Sequence, residues 1–352
     1  MNLLTLLGIS LPIIQAPMAG VQGARLAAAV SRAGGLGSIP CAMLSPDGIR
    51  REVEDYKGRF EGQAVPPFNL NFFCHAMPEP DADKESAWRE ALAPYYKELG
   101  IDLPGLVTGP GRQPFSDDTM ILLEELKPPV VSFHFGLPAG ETISRIKDYG
   151  ATVLSSATTV EEAMYLERQG VDVVIAQGAE AGGHRGLFLS DDIATQMGTF
   201  SLLPQVAAAV EVPVIAAGGI AGRDSVTAAF ALGAAGVQAG TAYLLCPECD
   251  TSKVHREAIA GRAALNTALT NVFTGRPARA IVNRMMRELG PVTSIAPAFP
   301  NAAMMAAPLR AAAEKIGSAD FSPLWCGQNA SLCREMPAAA VTRELMSNVE
   351  PL

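Results

Sequence analysis

The segment Asp172-Val-Val-Ile-Ala-Gln177-Gly-Ala-Glu-Ala-Gly182-Gly-His184-Arg-Gly186 sets an apolar run directly before a loop with four glycines, a histidine and an arginine. Asp172–Ala176 reads as a short buried strand, since such runs are too brief for a helix and carry β-branched residues. The glycines that follow allow close approach of the backbone to a ligand. A histidine in such a loop titrates near neutral pH and is suited to acid–base work.

Seven further runs resemble this one. They are Ile13–Met18, Leu36–Ile39, Pro67–Phe73, Val130–Gly136, Thr152–Ser156, Pro213–Gly219 and a strand within Gly236–Leu244. Helical patterns separate most of them. Arg25–Ala33 is alanine-rich and closed by Gly34-Gly35, Ser45-Pro46-Asp47 offers an N-cap with proline at N1, and Thr159–Glu162 matches a capping box before a helix that Gly170 ends. Strands alternating with helices predict parallel βα units. An open doubly wound sheet competes, but eight units within about 245 residues suit a (β/α)8 TIM barrel, whose usual size is roughly 250. The expected organisation is a barrel from residues 1–73 and 128–245. Residues 74–127 form an insertion or lid, with a charged helix near Lys84–Leu99 and a Gly/Pro-rich loop at 104–114. Residues 246–352 form a mainly helical extension that completes the barrel and substrate region.

Composition narrows the function. The 352 residues are 49% hydrophobic and 18% charged, with a net charge of −9 and no basic runs, so nucleic-acid binding is not expected. The uncharged stretches 1–24, 226–247 and 289–309 are broken by glycine or proline, so neither a signal peptide nor a membrane span is expected. Six cysteines at this density predict reduced cytoplasmic thiols. Cys246-Pro-Glu-Cys249 lacks a full set of zinc ligands, so no metal site is assigned.

In a barrel, strand C-terminal ends build the active site, and the loops after the last two strands commonly bind phosphate. Those ends carry Pro17-Met18-Ala19-Gly20, Asn71, His134, Gln177 with its loop, Gly218-Gly219 and Gln238–Thr241. Gly218-Gly219-Ile-Ala-Gly222 precedes a helix start, where free N–H groups attract an anion. His184 is the best candidate base. His134, between Phe133 and Phe135, points either into the mouth or into the core. No Gly-x-Gly-x-x-Gly follows a strand, and Walker A, Gly-x-Ser-x-Gly and His-x-x-x-His patterns are missing.

Gln15-Ala-Pro-Met-Ala-Gly20, Ala29–Gly37, Phe133-His-Phe-Gly136, Gln177–Gly186, Ala217-Gly-Gly-Ile220 and Gln238-Ala-Gly-Thr241 together resemble the nitronate monooxygenases of class I type, once called 2-nitropropane dioxygenases. The resemblance runs from about residue 3 to Trp325-Cys-Gly-Gln328. Its Glu-Ala-Gly-Gly-His segment is shared with flavin-dependent enoyl-ACP reductases. It implies FMN, with contacts from Met18, Ala19, Asn71, Gln177, Gly182, Gly219, Gln238, Ala239, Gly240 and Thr241. It implies His184 as the catalytic residue, acting as a base or orienting the nitronate; His134, read from its place at a strand end, is the substrate-binding candidate. The implied reaction oxidises alkyl nitronates such as propionate 3-nitronate with O2 through a flavin semiquinone, without NAD(P)H. An NAD(P)H-dependent FMN reductase of an enoyl thioester or quinone, a non-catalytic flavin carrier and a sugar-phosphate isomerase are the alternatives. A homodimer is left open.

Overall fold

The chain is described by a computed structural model covering residues 2–105 and 112–347. Most of the loop expected at 104–114, and the last residues of the 246–352 segment, lie outside those described.

The strands are β1 (Ile13–Gln15), β2 (Gly37–Pro40), β3 (Phe68–Phe73), β4 (Val130–His134), β5 (Thr152–Ala157), β6 (Val173–Gln177), β7 (Gly183–His184), β8 (Val214–Ala217), β9 (Gly236–Ala239), β10 (Thr267–Thr270) and β11 (Ala278–Ile281). Eight of them, all but β7, β10 and β11, form one parallel sheet in the order β1-β9-β8-β6-β5-β4-β3-β2. A parallel bridge between Ile14 and Leu36 joins the two ends. Leu36 N donates to Ile13 O and Gln15 N to Leu36 O, both at 2.9 Å. The ring is therefore closed, and the expected TIM barrel is the observed fold.

Alternation along each strand sorts side chains into two populations. Ile14, Leu36, Val130, Leu154, Val173, Ile175, Ile215 and Ala217 fill the barrel interior, and Leu3 and Leu7 of the first helix plug its N-terminal end. The other parity, including Ile13, Leu70, Phe72, Val131, Val153, Val174 and Ala216, packs outward against the helical ring. Towards the C-terminal ends of the strands the interior residues turn polar: Asn71, Ser132, His134, Ser156, Gln177 and Gln238. The floor of the barrel is thus apolar and its mouth polar.

The helix caps follow the sequence with one difference. Ser45 accepts from Gly48 N at 3.2 Å, and Thr159 accepts from Glu162 N at 3.2 Å. Glu162 does not return the bond to Thr159. Its buried carboxylate accepts from Thr158 N, Thr158 Oγ1, Phe188 N and Leu189 N, tying the start of that helix to the end of the histidine loop. Four donors outcompete one cap amide for a desolvated anion.

The segment 82–98 is a helix whose Trp88 and Tyr96 hydrogen-bond to Ala302 O and Met305 O on helix Ala302–Lys315. Beyond the barrel the chain also forms the antiparallel pair β10–β11, and β11 pairs with β7 in register Ala278↔His184 and Arg279↔Gly183. Among the described residues no helix is long and apolar enough to cross a membrane.

Candidate active site

A cavity of about 240 Å³ opens at the polar mouth of the barrel. Met18, Ala19, Asn71, His134, Gln177, Gly182, His184, Gly219, Gln238, Gly240 and Thr241 all line it. The strand-end rule therefore gathers these positions from six strands into one place. Ala239 is the exception: strand parity turns its side chain outward into the helical layer, where it is 1% exposed. Arg185, next to His184, also points away from the mouth. It is fully buried, donating from Nε to Gln196 Oε1 and from Nη2 to Gln177 O, both at 2.8 Å. Burial first, and Arg279 second, pull its guanidinium down to about 10.

The histidine loop is held by backbone contacts. Gln177 uses both ends of its amide on it, Nε2 to His184 O at 3.0 Å and Oε1 from Gly186 N at 2.7 Å. His134 Nε2 approaches the same His184 carbonyl at 3.3 Å, and its Nδ1 lies 2.6 Å from Ser156 Oγ. A carbonyl only accepts, so His134 carries its proton on Nε2 and Ser156 donates to Nδ1. Burial, then Arg276, lowers His134 to about 3, so the ring stays neutral. Further back, Glu180 accepts from Thr199 N and Oγ1, and Gly182 abuts the Cys326–Gly327 backbone so closely that a Cβ would lie 2.6 Å from Gly327 N.

His184 itself is half-buried, and its Nε2 lies 2.9 Å from Thr274 Oγ1. Its Nδ1 has no protein partner among the described residues, so that nitrogen is left for a ligand. The ring stands among Trp325, Phe299, Phe135 and Phe73, with centroids 5.2, 5.3, 6.0 and 6.4 Å away. Burial in this aromatic wall, followed by the positive charge of Arg112, holds the imidazole well below its usual range. Phe135 reaches its place through a left-handed backbone (φ 69°), and Arg276 stacks over it at 4.1 Å. A bulky residue held there is stored strain of the sort found at functional sites.

The other end of the cavity is built from backbone. Gly219 has φ 72°, and a Cβ there would find nothing closer than Glu180 at 3.8 Å, so the main chain is bare on the cavity side. Helix Arg223–Ala231 begins just beyond. The amides of Gly219 and Gly240 have no partner among the described residues, and Met18 Sδ lies 3.6 Å from where a Gly240 Cβ would be. Bare amides at a helix start suit a phosphate. Asn71 donates to Ser132 Oγ at 2.9 Å, and Asn329 donates to Gly219 O at 3.0 Å.

Sequence reasoning missed Thr274, Phe299, Trp325, Arg112, Arg310 and Asn329. They come from the insertion and the C-terminal segment, where no strand-end rule applies. The pairing of β11 with β7 is what brings Thr274 and Trp325 to the histidine.

Comparison with known proteins agrees with this geometry. The family model for nitronate monooxygenase matches residues 1–348. A nitronate monooxygenase from Pseudomonas aeruginosa is 42% identical over 98% of this chain and 97% of its own length. The solved structure of a nitroalkane oxidase from Streptomyces ansochromogenes superposes with a TM-score of 0.89 at 39% identity, covering 99% of this chain and 97% of that one. FabK from Thermotoga maritima superposes with a TM-score of 0.70 at 28% identity, covering 97% of this chain and 93% of that one. The chain belongs to the nitronate monooxygenase family, a family of flavin-dependent oxidoreductases.

Proposed function

We propose that the protein binds FMN at the barrel mouth and oxidises alkyl nitronates, propionate 3-nitronate among them, with molecular oxygen. The observation that carries this reading is the neutral imidazole of His184, set in an aromatic wall with one nitrogen unengaged, in the same cavity as the bare amides of Gly219 and Gly240. The residues fit FMN. The phosphate would meet Gly219, Gly240 and Thr241 at the helix start, and the ring system would lie along Met18, Ala19, Asn71, Gln177 and Gln238. FMN, when bound, supplies the electron acceptor for the nitronate and the route to oxygen.

The protein's own part is to place and hold the nitronate. Thr274 Oγ1 can give or receive the bond to His184 Nε2. When Thr274 donates, Nδ1 carries a hydrogen and binds a nitronate oxygen. When Thr274 accepts, Nδ1 offers a lone pair that removes the α-proton of a neutral nitroalkane. The aromatic wall keeps water from the charge formed during reaction. His134 serves the substrate by fixing the His184 carbonyl.

The test is anaerobic mixing of the purified holoprotein with propionate 3-nitronate and, separately, with NADH, followed by oxygen uptake in air. Nitronate is expected to reduce the flavin rapidly and to consume oxygen, with NADH inert. Rapid bleaching by NADH without nitronate turnover would replace this reading with an enoyl or quinone reductase, the alternative that the Glu-Ala-Gly-Gly-His segment leaves open.

A further inference from the structure

Residues 326–333 cross the end of the cavity opposite the aromatic wall, where Gly327 and Asn329 line it, and the reading above gives them no part. The segment bonds to three separate barrel loops. Gln328 N donates to Glu180 O at 3.0 Å, between β6 and β7. Asn329 Nδ2 donates to Gly219 O at 3.0 Å, after β8. Gly327 N donates to Thr241 Oγ1 at 3.0 Å, and the Cys333 thiol donates to Thr241 O at 3.2 Å, after β9. Leu332 rests on the start of helix Arg223–Ala231, where a Cβ on Gly222 would lie 3.0 Å from its Cδ1. Cys326 and Ala330 are buried, while Gln328, Ser331 and Leu332 are exposed. Lifting this band breaks its few bonds and parts no barrel strand.

Two of these bonds prepare donors for an anion. Thr241 Oγ1 accepts from Gly327, so its single hydrogen is left for a further acceptor, and none of the described residues takes it. Asn329 holds the Gly219 carbonyl, and in a trans peptide the adjoining N–H points the opposite way. The bond therefore also sets the direction of the Ile220 amide, which has no partner among the described residues. Glycine at 219 leaves that peptide free to rotate. Without its partner the carbonyl can turn oxygen-first towards an anion, which repels it. We propose that residues 326–333 are a clamp, pinned by Asn329, that orients the phosphate-binding groups of the loops after β8 and β9 and sets how fast the cofactor leaves. The inference rests on the FMN reading for its ligand and on the clamp's own bonds for its action.

The experiment follows flavin fluorescence on binding and release in the wild type, Asn329→Ala and Asn329→Asp. Aspartate keeps the shape but, when ionised, has no hydrogen to give Gly219 O. FMN is expected to leave Asn329→Ala about tenfold faster than the wild type, with Kd raised to match. Asn329→Asp is expected to lose more, since it adds a negative charge beside the phosphate site. Riboflavin, which lacks the phosphate, is expected to bind all three proteins alike. The urea midpoint of the flavin-free protein is expected to be the same in the wild type and Asn329→Ala, with a gap opening only when FMN is added. Unchanged FMN release in both variants overturns the proposal. Equal losses for FMN and riboflavin overturn it too, as does an equal fall in the urea midpoint with and without FMN. A wild type that binds no FMN removes the FMN reading and the clamp together, whereas variants that hold FMN as well as the wild type does remove the clamp alone.

Discussion

His184 Nε2 and Thr274 Oγ1 lie 2.9 Å apart although 90 residues separate them in the chain. Thr274 follows β10, and the strand pairing of β11 with β7 sets the distance. The hydroxyl holds one ring nitrogen, and the direction of its hydrogen decides whether the far nitrogen shows the cavity a proton or a lone pair. Thr274→Val keeps the shape and removes the polar partner. Turnover of neutral nitroethane is expected to fall about tenfold, the size of one lost hydrogen bond at a reacting group, with flavin content unchanged. Ethyl nitronate, which needs no proton removed, should lose less. Equal and unchanged rates for both substrates would take Thr274 out of the mechanism.

Replacing His184 itself is a harsher test. Asparagine keeps a polar group and cannot take a proton at neutral pH. His184→Asn is expected to retain the visible flavin spectrum and to cut nitroethane oxidation at least a hundredfold, the scale of lost general-base catalysis. Oxygen-electrode rates on flavin-matched samples decide it, and wild-type rates would exclude the imidazole.

Gly182 lines the cavity and also touches backbone. A Cβ there would lie 2.6 Å from Gly327 N and 2.7 Å from the Cys326 carbonyl carbon, and neither can rotate away. Gly182→Ala should therefore push the loop and the Trp325 segment apart, costing roughly 1–3 kcal/mol. Urea unfolding of the flavin-free protein is the direct measurement, since a loss seen only with flavin bound would point to a cofactor contact.

Acid should weaken the fold before it alters the chemistry. Burial, the leading cause in each case, lowers His134 to about 3 and His75 and His255 to about 4, from an ordinary 6.5. These rings are neutral in the folded chain, while the unfolded chain takes up protons below 6.5. Stability is therefore complete above that value and declines as pH falls from 6.5 towards 4. At pH 5 each histidine costs on the order of 1–2 kcal/mol. Urea midpoints at pH 7 and pH 5 should differ accordingly. A flat profile would mean that these rings are hydrated.

The sequence exposes the barrel because each strand is an apolar run ended by glycine or a polar residue, and a closed ring brings all such ends to one side. Asn71, Gln177 and Gln238 were legible on that ground alone. Parity decides Ala239: it stands among the expected cofactor contacts in a linear reading, and its side chain faces away because that of Gln238 faces in. Thr274, Arg112 and Trp325 left no comparable mark. Their place depends on strand pairing and on contacts between segments far apart in sequence, which no local pattern encodes.

The short pairing of β7 with β11 also carries a consequence for shortened chains. All eight barrel strands are complete in the sequence by residue 239, yet the strand that pairs with residues 183 and 184 begins only at Ala278. A chain ending between those points would carry every barrel strand and still lack the partner of Gly183 and His184.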